Sequence, residues 1–266
     1  MNPVEIHRGE SPIVLGLPHT GTHVPTDIFQ RLNKRGQGLD DTDWHIHTLY
    51  DSLLDGATTV RATFHRYVID ANRDPSGASL YPGQNTTGLV PLTDFDGKDI
   101  WADPPTPEEI EARRQQFHAP YHAALQAELE RVHKLHGVAI LYDCHSIRSD
   151  IPFLFEGILP DFNIGTNSGV TCASEIESTT VEICKEATAY SSILNGRFKG
   201  GWTTRHYGQP ATNIHAIQME LAQSTYLKSQ TAPWEYDENR AAQLRPHLAK
   251  ILTELAKLAP KLGTSR

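Results

Sequence analysis

Two histidines stand where an apolar run breaks. In "LGLPHTG", residues 15–21, His19 follows a short apolar stretch, and in "LYDCHSIRSD", residues 141–150, His145 does the same. Each is followed by small residues: Thr20 and Gly21 in one case, Ser146 in the other. Neutral imidazole is a good zinc ligand, and a catalytic zinc usually takes three protein ligands and keeps one position open for water. A carboxylate could supply the third, from Asp40, Asp41 or Asp43 in "LDDTDWHIH" or from Asp143 beside His145. The ordinary alternative is that each histidine only hydrogen-bonds within the fold. No short zinc signature settles the matter, because "HTGTH" (His19, His23) is not HExxH.

Two further features carry chemistry. Glu220 is a single carboxylate in the apolar stretch "HAIQMELAQ". A buried lone carboxylate is costly, and beside a metal it could take a proton from water. Arginine forks, which bind carboxylates bidentately, occur at Arg66 and Arg73 in "HRYVIDANRD", at Arg148, and at Arg205 in "RFKGGWTTRHYGQP". Arg66 and Arg73 could instead pair with Asp70 or Asp74. The stretch around Arg205, with paired glycines, a histidine and Tyr207, reads as a mobile, ligand-facing loop.

These residues need a scaffold, and the pattern supplies one. "PIVLGLPH", "VAILYDCH" and "NIHAIQMELAQSTYL" read as buried strands. "TTVRATFHRYVIDANR" is rich in β-branched and aromatic residues and reads as another. "DDTDWHIHTLYDSLLDGA" has near-helical spacing. "TPEE" opens a helix: Thr106 as cap, Pro107 at its first position and Glu109 completing a capping box. An apolar stripe from Ile110 to Val132 follows, bent at Pro120 and closed by Gly137. "STTVEICKEATAYSS" reads as a shorter helix, and Asn239–Leu258 as a covering one. Residues 74–105, rich in Pro, Gly, Asn and Asp, form a long loop, and loops of that length are more often functional than idle. A helix leading directly into a buried strand predicts an α/β protein whose sheet is mixed but mostly parallel, flanked by helices. No repeat or linker divides the 266 residues, so one domain over 1–266 is expected. In such sheets ligands bind beyond the carboxyl ends of the strands, where His19 and His145 fall.

Composition excludes some functions. The formal net charge of −8 argues against nucleic acid as the main partner. No apolar run approaches the roughly 20 residues needed to span a bilayer. The N-terminus shows no apolar secretory core, and three cysteines (Cys144, Cys172, Cys184) form no disulfide framework, so a reducing cytoplasm is expected.

The segments "PHTGTHVP", "DTDWHIHTLYD", "RYVIDANRDPSGASLYPGQNTTGLVP", "LYDCHSIRSDIPFLFEG", "LPDFNIGTNSG" and "GGWTTRHYG…IQMELAQSTY" resemble, as a set and in order, the N-formylglutamate amidohydrolase family. The resemblance runs from about Pro12 to Tyr226. It implies a phosphorylase/hydrolase-like α/β fold related to zinc carboxypeptidases, a Zn2+ cofactor or another divalent metal, and hydrolysis of N-formyl-L-glutamate, a small dicarboxylate, in histidine breakdown. Carried over, it makes His19, Asp43 and His145 the metal ligands and Glu220 the catalytic carboxylate. Arg73 grips a substrate carboxylate with Arg205 as second choice, and Asn72 and Tyr207 complete the substrate contacts. One departure is plain: zinc carboxypeptidases place an acidic ligand three residues after the first histidine, and Thr22 stands there. Two other readings stay open, a related zinc amidase for another N-acyl amino acid and a non-catalytic binding protein on the same fold.

Overall fold

The computed structural model describes residues 2–79 and 83–263. Leu80, Tyr81 and Pro82, part of the long motif quoted above, lie outside the described residues, as do Met1 and 264–266. The strands are β1 Val4–His7, β2 Ile13–Leu17, β3 Thr58–Ala62, β4 Ala139–Ile147, β5 Phe162–Gly165, β6 Ser192–Leu194 and β7 Ile214–Ala222. The helices are α1 Thr26–Phe29, α2 Ile46–Tyr50, α3 Pro107–Arg113, α4 Ala119–His136, α5 Ser174–Glu186, α6 Trp202–Tyr207 and α7 Glu238–Leu262. The strands form one seven-stranded sheet in the order β1-β3-β2-β4-β7-β5-β6. The centre, β3-β2-β4-β7, is parallel; β1 and β5 run antiparallel to their inner neighbours, and β6 is parallel to β5.

The connection into the central strand follows from its sequence. Thr106 accepts a hydrogen bond from Glu109 N while Glu109 reaches back to the Thr106 backbone, and Pro107 sits in the first turn. The helix continues through a π-helical stretch at Arg114–His118 into α4, and that stretch precedes Pro120. A proline removes one hydrogen bond and crowds the turn before it, and the wider π turn accommodates this. Gly137, at φ 70°, ends α4 in the left-handed conformation that glycine adopts without strain. Every residue of β4 is buried.

Alternation along the strands separates two faces. Ile140, Tyr142 and Cys144 of β4, with Ile217, Met219 and Leu221 of β7, pack under α5 and α7, whose Leu244, Leu248, Ile251, Leu252 and Leu255 are fully buried. Ala139, Leu141 and Ala216 face the other way, against Tyr121, Leu125 and Leu129 of α4. On that second face both strands turn polar toward their carboxyl ends: Asp143 and His145 continue one, Gln218 and Glu220 the other. The apolar face stabilises the sheet, and the polar end of the opposite face is left to bind something. Cys144, Cys172 and Cys184 are buried thiols.

Three local expectations need correction. The helix expected over 40–57 shrinks to Ile46–Tyr50, because His45 and Ser52 adopt left-handed angles (φ 58° and 56°) on either side of it. The strand expected over 58–73 ends at Ala62. Residues 65–73 turn instead, with Val68 N bonded to His65 O and Arg73 N to Asp70 O, because their polar groups serve the site rather than a ladder. The loop expected around Arg205 contains α6, with Thr203, Thr204 and Tyr207 buried. Strands β1, β5 and β6, only three or four residues long, carry no sequence pattern of their own.

Candidate active site

The turn after β2 delivers His19, the loop before α2 delivers Asp43, and the end of β4 delivers His145. All three are buried, and one ligand atom from each lies within 4.8 Å of the others. His145 Nδ1 is 3.3 Å and His19 Nδ1 3.8 Å from Asp43 Oδ2. Ligand bonds of about 2.0–2.2 Å in tetrahedral array put neighbouring donor atoms about 3.3–3.6 Å apart, so the spacing suits a first-row divalent metal. The backbone fixes Asp43 from both sides: Asp43 N donates to His19 O, and Ser146 N donates to Asp43 Oδ2.

The far side of each ring is also held. His19 Nε2 is 2.6 Å from Asp70 Oδ1, the carboxylate–histidine arrangement that orients metal-binding imidazoles. His145 Nε2 lies between Asp143 Oδ1 at 3.1 Å and the Asn72 amide nitrogen at 3.2 Å. A bare Nε2 pairs with the amide and a protonated one with the carboxylate; ligation through Nδ1 requires the second. The contact to Asp143 is too oblique to complete a hydrogen bond, so its effect is mainly that of a charge beside the ring. Burial and then Arg66 hold the His19 pKa below its ordinary value, the neutral form that ligates. Burial opposes charge on His145, but Asp143 and Asp43 outweigh it and raise its pKa well above ordinary. Carboxylates that favour a charged ring favour a divalent cation for the same reason.

Glu220 stands across the sheet from His145, its register partner on β7. Both line one cavity with His19, Asn72, Arg73 and Gln218. Gln218 Nε2 donates to Glu220 Oε2 at 3.1 Å, while Gln218 Oε1 accepts from Gly201 N at 2.7 Å. Burial pushes the Glu220 pKa up to about 8, with His145 pulling against the shift. A cation beside it would pull it down further. A buried carboxylate tuned toward neutrality, next to a site for a metal, can accept a proton and return it.

The N-formylglutamate amidohydrolase family model matches residues 11–227. The chain belongs to this family. N-formylglutamate deformylase of Pseudomonas putida is 44% identical over 255 residues, 95% of each chain. That of Pseudomonas aeruginosa is 43% identical over 251 residues, 93% of this chain and 94% of the relative. Among solved structures, N-formylglutamate amidohydrolase from Ralstonia eutropha JMP134 superposes with a TM-score of 0.81 at 25% identity, covering 98% of this chain and 99% of that one. A gene product of Agrobacterium tumefaciens shares the fold at 15% identity and a TM-score of 0.72, covering 97% and 96%.

In this member of the amidohydrolase family the expected substrate residues divide. Arg73 and Asn72 line the cavity; Arg205 and Tyr207 are not among its lining residues. Arg73 is held by Thr87, its Nε donating to the carbonyl and a terminal nitrogen to the hydroxyl, both at 2.9 Å. Asn72 bridges the site: its amide nitrogen meets His145, and its Oδ1 accepts from Thr203 N at 2.8 Å. Arg205 Nε donates to Gly200 O, because α6 carries it away from the cavity. Tyr207 donates to His122 O and packs in the core behind. Arg66 does pair with Asp70, at 2.6 Å, as its sequence context allowed, yet it also lines the cavity. Asp70, Arg197 and Gln218 were not singled out from the sequence, although Gln218, two residues before Glu220, shares its face by strand alternation.

Proposed function

We propose that this chain hydrolyses N-formyl-L-glutamate to L-glutamate and formate with a divalent metal, zinc by its donor set, held by His19, Asp43 and His145. The observation that carries the reading is the buried cluster of those three residues, two of which, His19 and His145, line one cavity with Glu220 and three arginines. The names of relatives 43–44% identical over nearly the whole chain support the substrate. A net charge of −8 is no obstacle, since the cavity wall carries the guanidinium groups of Arg66, Arg73 and Arg197.

The chain's own groups divide the work. A metal in this site supplies Lewis acidity, in the case of zinc enough to bring the pKa of water from about 15.7 to about 7. Asp43 is held by Ser146 N and the His19 imidazole by Asp70, so these two ligands are organised in advance. Glu220 takes a proton from the attacking water as oxygen bonds to the formyl carbon. When the carbon–nitrogen bond breaks, Glu220 gives that proton to the departing amine of glutamate. Gln218 keeps Glu220 facing the cavity. Arg73 binds a substrate carboxylate, and Asn72 packs beside His145 at the cavity wall. Phe95, Leu154 and Phe198 give the cavity an apolar part of its wall.

The proposal extends to a fold relationship with zinc carboxypeptidases, a place in histidine breakdown, a cytoplasmic location supported by three thiols free of disulfides, and a single catalytic domain. No helix among the described residues is long and apolar enough to cross a membrane. The test is formate release from N-formyl-L-glutamate, with and without chelator. Chelator-sensitive release supports the reading. Faster release from N-formyl-L-aspartate would favour a related amidase, and none from either substrate would favour a binding protein.

A further inference from the structure

The geometry points to Arg197 as the residue that selects the substrate's side-chain carboxylate, a role that rests on the formylglutamate reading above. Three arginines line the cavity, and their surroundings give them different tasks. Arg66 is paired with protein carboxylates: one terminal nitrogen is 2.6 Å from Asp70 and the other 3.9 Å from Asp43, and the side chain is buried. Arg73 belongs to the metal side. It follows Asn72, which touches His145, and its NH1 is 3.7 Å from Asp70 Oδ2. Arg197 reaches the cavity from a different wall. Its Nε donates to Leu154 O and its NH2 to Asn85 O, both at 2.9 Å. These two carbonyls fix the direction in which the guanidinium meets the cavity.

The substrate sets a matching ruler. The formyl group must lie at the His19, His145 and Glu220 end, where the chemistry is. Counted from the amide nitrogen, the α-carboxyl carbon is two bonds away. The side-chain carboxyl carbon is four bonds away, or about 5 Å when extended, with bonds of about 1.5 Å. The α-carboxylate therefore falls to Arg73, beside the metal ligands, and the side-chain carboxylate to a cation farther along the cavity. Phe95, Leu154 and Phe198 give that route apolar walls, as the two intervening methylenes require. Asparagine, threonine or lysine in place of this fork would lose the bidentate grip that tells a carboxylate from a carboxamide.

The experiment compares N-formyl-L-glutamate with N-formyl-L-glutamine, whose side chain ends in a neutral carboxamide, on wild type, Arg197→Gln and Arg197→Lys. Wild type should prefer the glutamate substrate. In Arg197→Gln, kcat/KM on formylglutamate should fall about 10²-fold or more, mostly through KM. On formylglutamine the loss should be only a few-fold, so the preference collapses. Arg197→Lys should recover part of it. Metal content and Tm serve as controls for folding, and the lysine variant carries the test if the glutamine variant does not fold. Equal losses on both substrates, or an undiminished preference in both variants, would overturn the role given to Arg197. Absence of wild-type turnover on formylglutamate would instead overturn the functional reading beneath it.

Discussion

His145 and Glu220 are register partners on the adjacent parallel strands β4 and β7, and both face the same cavity. Because the strands run in parallel, their carboxyl ends lie side by side, and so do the imidazole of the candidate metal cluster and the carboxylate. The pairing sets their separation by backbone hydrogen bonds rather than by a flexible loop.

Glu220→Gln follows from this. The amide keeps the shape and removes the base, so metal content should stay near wild type. Turnover should drop by roughly 10²–10⁴, the usual size of a general acid–base contribution, with little change in KM, since proton transfer is confined to the transition state. Metal analysis beside steady-state kinetics checks both points. Loss of metal in this variant would make Glu220 a ligand and move the base elsewhere.

Asp70→Asn tests the outer support of the proposed metal site. Asp70 accepts from His19 Nε2 and holds Arg66, so it fixes the ring and neutralises a buried cation at once. Metal affinity should weaken by about 10–100-fold, the typical result of removing such a partner. Stability should fall as well, because Arg66 is left under-compensated in the interior. Competitive chelator titration and a thermal melt read the two effects separately. Unchanged metal affinity would leave Asp70 as an ion-pair partner of Arg66 alone.

Gly201→Ala should damage the site without straining the backbone. Gly201 has an ordinary φ of −78°, but a Cβ there would come within 2.2–2.6 Å of the Asn72 side chain. Asn72 would have to leave His145 and Thr203 N. We expect kcat/KM to fall at least about tenfold, since misplacement by about 1 Å can cost roughly 10²-fold. Folding should survive, because the displaced group is one side chain at a cavity wall. Kinetics together with a circular-dichroism melt check this, and full activity would show that Asn72 can move without consequence.

The residues that were legible in the sequence share one property, that a local pattern exposed them. His19 and His145 end apolar strands, and Glu220 interrupts one. The helix from Thr106 could be read to the residue because capping chemistry is local. Asp70 was read as a partner for arginine, which it is, but its bond to His19 joins positions 51 residues apart and leaves no spacing signal. Arg197 and Arg205 lie in the same glycine-rich stretch with similar surroundings in sequence. Only α6, beginning at Trp202, separates them, turning Arg205 away while Arg197 stays at the wall. Strand β5 was hidden for another reason: it pairs antiparallel to β7 and owes its place to that partner rather than to a period of its own.

His122 should make stability depend on pH in a way that can be isolated. Its Nε2 donates to Ala71 O, its Nδ1 lies 3.1 Å from Tyr207 OH, and it thereby pins the residue next to Asn72 onto α4. Burial, then His118, lowers its pKa to about 3. A base whose folded pKa is depressed stabilises the fold above its unfolded value, about 6.5, and loses that contribution as pH falls toward 3. Between pH 7 and pH 5 the loss is about 2 kcal/mol, from about 1.4 kcal/mol per pH unit below 6.5. Asp41, raised to about 7 by burial, and Glu220, raised to about 8, act in the opposite sense over this range, so the total curve need not show the effect. The difference between wild type and His122→Gln removes those terms. Urea unfolding at the two pH values should find the variant less destabilised at pH 5 than at pH 7, by about 2 kcal/mol. An equal difference at both values would mean that His122 does not stay neutral in the folded chain.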